Sequence, residues 1–430
     1  MTPRRHARGP VALTGPVVTK PLHAPRSIRA MSPALTRPMT RPLRLAVVTE
    51  TFPPEVNGVA LTLSRTVAGL RERSHTIELV RPDQGERDVA TPGLEEHRVR
   101  SLPIPRYPQL RLGLPAAGRL QRLWTAQRPD LVHVVTEGPL GASAVRAARR
   151  LGLPVVSDFR TNFHAYTGHY GLGWLAAPME AWLRRLHNRT DRTFVPTARL
   201  AAELGARGFE RLRVVGRGVD AQRFDPARRC PALRASWGAD GHTLVALCVG
   251  RLAPEKNLDT VIDAWRAMEQ ARPGTRLVLV GDGPDAARLR ARCPQAVFTG
   301  PLRGDALARA YASADVFLFA SLTETFGNVV PEAMASGLAV VAYDHAAAAT
   351  LISPARDGLI APPGDRSAFL RLAVHAAGDL PAAQRLGRHA RATALALDWS
   401  RIVAGLEAEY AAVLAEAAVR RPAEGAVAAA

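Results

Sequence analysis

Two cations near the middle of the chain, Arg251 and Lys256, have the types and spacing that suit a diphosphate. The chain contains 55 arginines but only two lysines, Lys20 and Lys256, so a lysine at position 256 needs an explanation. The apolar run at residues 244–249 predicts a buried strand that ends just before both cations. A compact ammonium beside a guanidinium at the carboxyl end of a parallel strand favours diphosphate binding. A solvated cation at a helix start is the alternative for a lone lysine.

A later loop brings a glycine and unpaired backbone N–H groups to the start of a predicted helix. Residues 316–320 form an apolar run that predicts a strand, and the next helix begins near Gly327. The N–H groups of Asn328 and Val329 lack intrahelical acceptors there, so a diphosphate could accept from them at the positive end of the helix dipole. Pro331 fits the first helical turn, where its missing N–H is not needed.

Two carboxylates, Glu324 and Glu332, bracket the start of this helix. Glu324 precedes the helix and Glu332 lies one turn inside it, where each residue adds about 1.5 Å of rise. The pair can therefore flank a diphosphate, with one carboxylate facing a sugar and the other facing ribose hydroxyls. A capped surface helix with two solvated acids is the alternative, and the neighbouring Gly327 and Pro331 disfavour it.

The loop at residues 50–59 lies between the first predicted strand and the first predicted helix. Gly58 at that helix start would let backbone N–H groups approach an anion closely. A plain turn or helix cap explains a single glycine about as well.

Short apolar runs alternate with helical patterns along most of the chain. Predicted strands cover residues 43–49, 76–80, 131–135, 154–157 and 192–195 in a first series, and residues 244–249, 276–280, 296–299, 316–320 and 338–342 in a second. Helical patterns between the strands indicate two parallel, doubly wound α/β sheets. Ligands of such sheets bind outside the carboxyl ends of the strands, so two sheets imply a cleft.

Length and composition agree with two domains. The chain has 430 residues and 47% apolar content, which is enough for two cores. No apolar run reaches the roughly 18 residues of a membrane span. The three cysteines, Cys230, Cys248 and Cys293, lack metal-ligand spacing, so a reducing cytoplasm is expected.

The net charge of +19 is concentrated in part at the amino terminus. Residues 1–42 contain seven arginines, one lysine, eight prolines and no acidic residue, and so carry eight of the net positive charges. Such a segment cannot form a core, so we expect a disordered leader or an overlong gene model that is not translated. No module of interleaved aromatic and basic residues indicates nucleic-acid binding.

The chain resembles the retaining glycosyltransferases of family 4, which have the GT-B fold. The resemblance covers residues 43–415 and depends on five motifs. They are Asn57-Gly58-Val59, Gly216-Arg217-Gly218-Val219-Asp220, Gly250-Arg251-Leu252 with Glu255-Lys256-Asn257, Gly281-Asp282-Gly283-Pro284, and the segment 324–332. The resemblance implies two Rossmann-like domains facing a cleft. It implies an acceptor-side domain at residues 43–213, a nucleotide-sugar domain at 214–395, a helix at 396–418 crossing back to the first domain, and a disordered tail at 419–430.

The family implies roles for the residues that match its motifs. Arg251 and Lys256 would hold the donor diphosphate, Glu324 would contact the donor sugar, and Glu332 would bind the ribose. The other donor-binding positions are Asn57, Gly58, Gly218, Phe326, Gly327, Asn328 and Val329. No metal or other cofactor is expected, because the sequence has no Asp-x-Asp element and the cations can stabilise the leaving diphosphate.

One departure from the family concerns a histidine that contacts the donor sugar. Relatives carry His-Thr after the strand at residues 154–157, whereas this chain has Arg160 at the histidine position and His164 one helical turn later. Either residue could supply the contact, or neither. Arg160 cannot act as a base, because a guanidinium stays protonated.

The resemblance is strongest to GDP-mannose-dependent α-mannosyltransferases, which implies mannose as the transferred sugar and a lipid or glycan acceptor. UDP-sugar-dependent glucosyl or sulfoquinovosyl lipid transferases are the alternative, and an inactive nucleotide-sugar-binding protein is an alternative of another class. Residues 174–189 contain Trp174, Trp182, Arg184, Arg185 and Arg189. This set could form a basic, aromatic face for peripheral contact with the inner face of the cytoplasmic membrane. A helix packed on the core with a basic outer face is the simpler interpretation.

Overall fold

The computed structural model describes residues 41–55, 57–85, 90–104, 107–160 and 176–427. Residues 1–40 of the expected leader lie outside these ranges, as does His164. Arg41, at the start of the first range, forms a hydrogen-bonded ion pair with Asp130 at 2.6 Å.

The first half of the chain forms a seven-stranded parallel sheet and a small antiparallel hairpin. The strands are β1 (Arg44–Val48), β2 (Thr76–Pro82), β3 (Glu95–Val99), β4 (Ser101–Ile104), β5 (Tyr107–Gly113), β6 (Leu131–Val134), β7 (Val155–Asp158), β8 (Arg192–Val195) and β9 (Leu212–Val214). The sheet order is β3-β2-β1-β6-β7-β8-β9, and β4 pairs with β5. Strand order therefore reverses between β1 and β6, where Val47 is in register with both Leu79 and His133.

The second half forms a six-stranded parallel sheet. Its strands are β10 (Val245–Val249), β11 (Arg276–Val280), β12 (Val297–Gly300), β13 (Val316–Phe319), β14 (Ala339–Tyr343) and β15 (Leu359–Ala361). They lie in the order β12-β11-β10-β13-β14-β15, so the order reverses between β10 and β13. A reversal of this kind opens a crevice at the carboxyl ends of the two central strands.

Helices cover both faces of each sheet. They are α1 (Gly58–Glu72), α2 (Ala117–Gln127), α3 (Pro139–Arg150), α4 (Ala176–His187), α5 (Ala198–Ala206), α6 (Pro231–Ser236), α7 (Leu258–Ala271), α8 (Ala286–Arg292), α9 (Gly304–Ala312), α10 (Val329–Ala335), α11 (Ala346–Leu351), α12 (Arg366–Gly378), α13 (Leu380–Leu395) and α14 (Trp399–Val427). Alternate residues of a central strand belong to opposite cores. Val245 and Leu247 pack in one core and Ala246 and Cys248 in the other. Strands buried on both faces explain the continuous apolar runs that the sequence shows.

The structure confirms the predicted class, two doubly wound parallel sheets, and adds strands that the sequence pattern missed. These are β3, β9, β15 and the β4–β5 hairpin. β3 lies at an edge and reads Glu-Glu-His-Arg-Val, four polar residues and one valine, so it lacks an apolar run. β9 and β15 have three residues each, too few to show a pattern.

The long carboxyl-terminal helix, α14, packs against the first sheet, as expected of the crossover helix. Its Val403 and Tyr410 belong to the core that contains Leu45 of β1, and its Glu409 forms an ion pair with Arg192. The predicted end at residue 418 with a disordered tail is wrong for residues 419–427, because the helix continues to Val427. This last stretch contains Pro422 and Gly425, which have the lowest helix propensities, so local propensity does not predict the extension. Residues 428–430 lie outside the described ranges.

Helix α13 sets the position of α10 through a close backbone contact. A Cβ atom added at Gly387 of α13 would lie 2.0 Å from the carbonyl oxygen of Gly337, just beyond α10. We expect Gly387→Ala to lower the free energy of unfolding by about 2 kcal/mol, because the clash outweighs the higher helix propensity of alanine. Gly378→Ala is the matched control, because its Cβ meets nothing within 4 Å. Chemical denaturation measures both variants, and equal stability of the two would contradict the packing constraint.

Candidate active site

The loop after β10 brings two cations to the crevice of the second sheet. Gly250 has a φ of 153° and ends the strand, and a short 3-10 helix at Pro254–Lys256 follows. Arg251 Nη2 lies 3.3 Å from Oε1 of Glu255, a carboxylate whose side chain is buried. Asn257 has a left-handed φ of 52° and leads into α7. This tight geometry holds Arg251 and Lys256 at the carboxyl end of β10.

The loop after β13 provides the partner of Lys256. The ammonium of Lys256 forms an ion pair with Oε1 of Glu324. The hydroxyl of Ser321 donates to the same oxygen at 3.0 Å. Burial opposes ionisation of Glu324, but the charge and hydrogen bond of Lys256 hold the pKa of its carboxyl below the usual range. Glu324 is therefore a carboxylate at neutral pH.

The chain turns into α10 through a glycine conformation. Gly327 has a φ of 87°, a backbone conformation that residues other than glycine rarely adopt. Its carbonyl accepts from Val330 N at 3.1 Å, and the carbonyl of buried Phe326 accepts from Ala347 N at 2.8 Å. The helix begins at Val329 with Asn328 as its N-cap residue. The predicted helix start near Gly327 is confirmed.

Glu332, in the first turn of α10, lies in a poorly solvated position. The hydroxyl of Tyr311 on α9 donates to Glu332 Oε2 at 2.9 Å. Burial raises the pKa of Glu332 to about 7, although the hydrogen bond from Tyr311 acts in the opposite direction. Two carboxylates eight residues apart thus have opposite pKa shifts, because Glu324 has a cationic partner and Glu332 has a neutral one.

The start of α1 faces the start of α10 across the cleft. Asn57 caps α1 by accepting from Val59 N at 3.1 Å and Ala60 N at 2.9 Å. The amide of Asn328 donates to Thr62 Oγ1 at 3.1 Å. A Cβ added at Gly58 would lie 3.5 Å from the same amide nitrogen. The two predicted loops therefore meet, with Gly58 opposite Asn328.

Arg160 follows β7 in the first domain, and its guanidinium pairs with Asp158. Its Nε donates to Asp158 Oδ2 at 2.6 Å, and its side chain is 4% exposed. Its backbone carbonyl accepts from Thr325 Oγ1 at 3.0 Å, so the donor-side loop contacts the Arg160 backbone. Gly218 packs on the ring of Trp399, where an added Cβ would lie 2.7 Å from Cδ2.

Several contacting residues escape prediction from the sequence. Tyr311 is 21 residues from Glu332 and on another helix, so no local pattern connects them. Ser321 is three residues before Glu324 in the same loop, and a search for local hydroxyl donors would have found it. Asp158 is two residues from Arg160, and its opposite charge was the available signal.

The described ranges contain neither a metal-binding cluster nor a membrane-spanning helix. No group of three or more histidine, cysteine or acidic side chains there has a geometry that could hold a metal ion. None of the helices in this part of the chain combines the length and apolarity needed to cross a membrane.

Family models match both halves of the chain. The family model "Glycosyl transferases group 1" matches residues 243–379, and "Glycosyltransferase Family 4" matches residues 56–223. A GDP-mannose-dependent alpha-mannosyltransferase of Mycobacterium tuberculosis is 39% identical over 86% of this chain and 97% of its own length. The sulfoquinovosyl transferase SQD2 of Arabidopsis thaliana is 32% identical over 84% of this chain and 72% of its own length. Sucrose-phosphate synthase from Thermosynechococcus elongatus has a similar fold, with a TM-score of 0.72 at 19% identity over 87% of this chain and all of that one.

The raised pKa of Glu332 predicts a pH-dependent loss of stability. Its pKa is about 7 in the folded protein and 4.5 as a reference, so the native state retains a proton that the unfolded state loses between these values. The stabilising effect of this proton is complete below about pH 4.5 and is lost as the pH rises to about 7. We expect Glu332→Gln, which can still accept from Tyr311, to be more stable than the wild type by about 2 kcal/mol at about pH 8 and not at about pH 4.

Glu210→Gln is the control for this measurement, because the Glu210 side chain is 59% exposed. Chemical denaturation across the pH range gives both differences. A pH-independent effect of Glu332→Gln would contradict the raised pKa.

Proposed function

Because the chain belongs to glycosyltransferase family 4, we propose that it transfers mannose from GDP-mannose to a lipid or glycan acceptor, forming an α linkage with retention of configuration. The observation that carries the proposal is the Lys256–Glu324 pair at the reversal of strand order in the second sheet. A cation and an ionised carboxylate at this crevice suit a diphosphate joined to a sugar. The similarity to the mycobacterial mannosyltransferase supports mannose as the sugar.

We propose that Arg251 and Lys256 bind the donor diphosphate. Each cation pairs with a carboxylate in this structure, Arg251 with Glu255 and Lys256 with Glu324. A bound diphosphate would interact with the two cations in addition to these carboxylates or in place of them, and would bring its negative charge to the loop after β10. Charge on the departing nucleoside diphosphate increases towards the transition state, so preorganised cations lower the barrier. Removing one donor of this kind typically raises a barrier by about 2.7–4 kcal/mol.

Glu324 acts on the sugar side in this proposal. Its ionised carboxylate can accept hydrogen bonds from sugar hydroxyls and can stabilise an oxocarbenium-like sugar. The backbone of Phe326, Gly327, Asn328 and Val329 lines the phosphates and the sugar. Attack by the acceptor on the face that the diphosphate leaves would retain the configuration.

Glu332 binds the ribose hydroxyls in this proposal. Tyr311 occupies one carboxylate oxygen, Oε2, and the carboxylate retains further acceptor capacity for a diol. Gly58 and Asn57 at the start of α1 complete the donor site across the cleft.

We propose that the reaction does not need a divalent metal. The sequence has no Asp-x-Asp element, and Arg251 and Lys256 supply the positive charge that a metal ion would bring to the diphosphate. Arg160 contributes through its backbone contact with Thr325, which supports the donor-side loop. His164 lies outside the described residues, and its contact with the sugar stays a prediction.

A UDP-sugar-dependent lipid glycosyltransferase is the second candidate. The sulfoquinovosyl transferase relative, at 32% identity, favours it. A lipid acceptor would require contact with a membrane surface. We propose α4 for this contact, because Trp182 is 39% exposed there and Arg184 and Arg185 lie in its last turn.

Nucleotide binding distinguishes the two donors. We expect GDP and GDP-mannose to raise the thermal midpoint in the presence of EDTA, because the cations and not a metal hold the diphosphate. UDP and duplex DNA serve as comparisons in the same experiment. Stronger stabilisation by UDP than by GDP would favour the second candidate, and stabilisation that EDTA abolishes would refute the metal-free reaction.

The proposed roles predict different kinetics for two variants. We expect Glu324→Gln to reduce donor hydrolysis and transfer about 100-fold or more, with little change in GDP affinity, because its charge acts on the sugar. Lys256→Ala should weaken GDP binding about tenfold and also reduce turnover, because the diphosphate is present in the ground state and the transition state. Glu210→Gln should change neither quantity. Full activity of Glu324→Gln would contradict the assignment of the sugar-side carboxylate.

A further inference from the structure

A small cavity lies between the first sheet, the segment after β9 and α14. It has a volume of about 20 Å³. The side chains around it that carry polar groups are Thr66, His133, Asp158, Arg160, Arg217 and Trp399. A volume of this size holds about one water-sized particle. Phosphate and larger anions are therefore too large for it.

Positive charge exceeds negative charge around this cavity. Arg160 and Arg217 bring two guanidinium groups against the one carboxylate of Asp158. Burial and the neighbouring charge of Arg160 lower the pKa of Arg217 to about 9, so it remains protonated at neutral pH. His133 contributes no negative charge in any protonation state. The excess is therefore at least one positive charge for either form of the imidazole.

Asp158 is already engaged by its neighbours. Its Oδ2 accepts from Arg160 Nε at 2.6 Å, and its Oδ1 lies 3.1 Å from His133 Nε2. The other nitrogen of His133, Nδ1, lies 2.7 Å from the hydroxyl of Tyr410. The nearest preceding carboxylate in the sequence, Glu137, accepts from the backbone N–H of Arg160 at 3.1 Å and does not line the cavity.

One donor group at the cavity lacks an acceptor among the described residues. Nη1 of Arg160 is buried and has no hydrogen-bond partner. A buried guanidinium nitrogen without an acceptor is costly, because it has lost water and gained nothing in exchange. The excess charge and the unpaired donor indicate the same missing partner, a small anion.

We propose that this cavity is a binding site for one monovalent anion of halide size, held by Arg160 and Arg217. Chloride fits the volume and the charge. The anion accepts from Arg160 Nη1 and neutralises the second guanidinium. It links the first domain, the segment after β9 and the start of α14, where Trp399 borders the site. A water molecule in the same place would satisfy the hydrogen bond but leave the charge unbalanced.

Chloride should therefore stabilise the full chain specifically. We expect the thermal midpoint to rise by about 2 °C and then saturate when sodium chloride replaces sodium gluconate at constant ionic strength. Arg217→Gln should lose this response. Arg272→Gln is the matched control, because Arg272 is partly exposed, donates to the His242 carbonyl and does not line the cavity, and it should keep the response. An equal response of both variants would overturn the proposal, since it would be a general salt effect.

A bromide experiment tests the site in the wild-type protein and does not depend on variant folding. Crystals soaked in sodium bromide should show an anomalous peak at hydrogen-bond distance from Arg160 Nη1. Density for water alone at this position, with no anomalous signal, would refute an anion site.

Discussion

The ion pair between Lys256 and Glu324 joins the two loops at the centre of the second sheet. β10 and β13 are neighbours in the sheet but lie far apart in the chain, and their loops diverge because strand order reverses between them. The pair holds the loops together at this crevice. Ser321 also donates to Glu324, so the carboxylate has two partners before any ligand binds. The remaining site elements, including α10 and the start of α1, are positioned around this fixed point.

The same pair explains why the two site carboxylates differ in charge. Glu324 stays ionised because an ammonium compensates for its burial, whereas Glu332 has only the hydroxyl of Tyr311. A buried ion pair adds little net stability, because desolvation of both charges opposes their attraction. The effect of the ion pair is instead to fix the positions of the two loops that carry Lys256 and Glu324. In the proposed reaction, a diphosphate that approaches Lys256 would meet a partly buried cation that is already held in place, so less reorganisation would be needed as charge develops on the leaving group.

The sequence predicts the centres of both sheets and fails at their edges. Central strands such as β10 and β13 are buried on both faces, so they appear as continuous apolar runs. The edge strand β3 is polar, and β9 and β15 are short. At the site, likewise, features that local sequence determines can be predicted and features that depend on packing cannot. Glycine and proline at the start of α10 predict a helix start from local rules alone, whereas the contact of Tyr311 with Glu332 depends on how α9 packs.

Two predicted site positions show where local patterns are insufficient. Gly218 is a glycine because the ring of Trp399 lies against it, a contact that exists only after α14 has returned to the first domain. Arg160 matches the position of a sugar-contacting histidine, yet Asp158 holds its guanidinium. A long, charged side chain turns towards the nearest carboxylate, so its direction depends on neighbours as well as on its place in a motif.

Carboxylate partners neutralise the buried arginines, so the high net positive charge of the chain is not carried into its interior. Among the described residues, the arginines classed as buried are Arg81, Arg160, Arg192 and Arg234. Each has a carboxylate partner, respectively Glu96, Asp158, Glu409 and Asp315. A buried charge without a partner would be expensive, so each buried arginine is matched and the excess is left at the surface. The cavity between Arg160 and Arg217 departs from this one-to-one matching, because two guanidiniums there share the single carboxylate of Asp158. An arginine-rich chain can therefore bury these four guanidiniums beside its apolar cores, because each has a carboxylate partner.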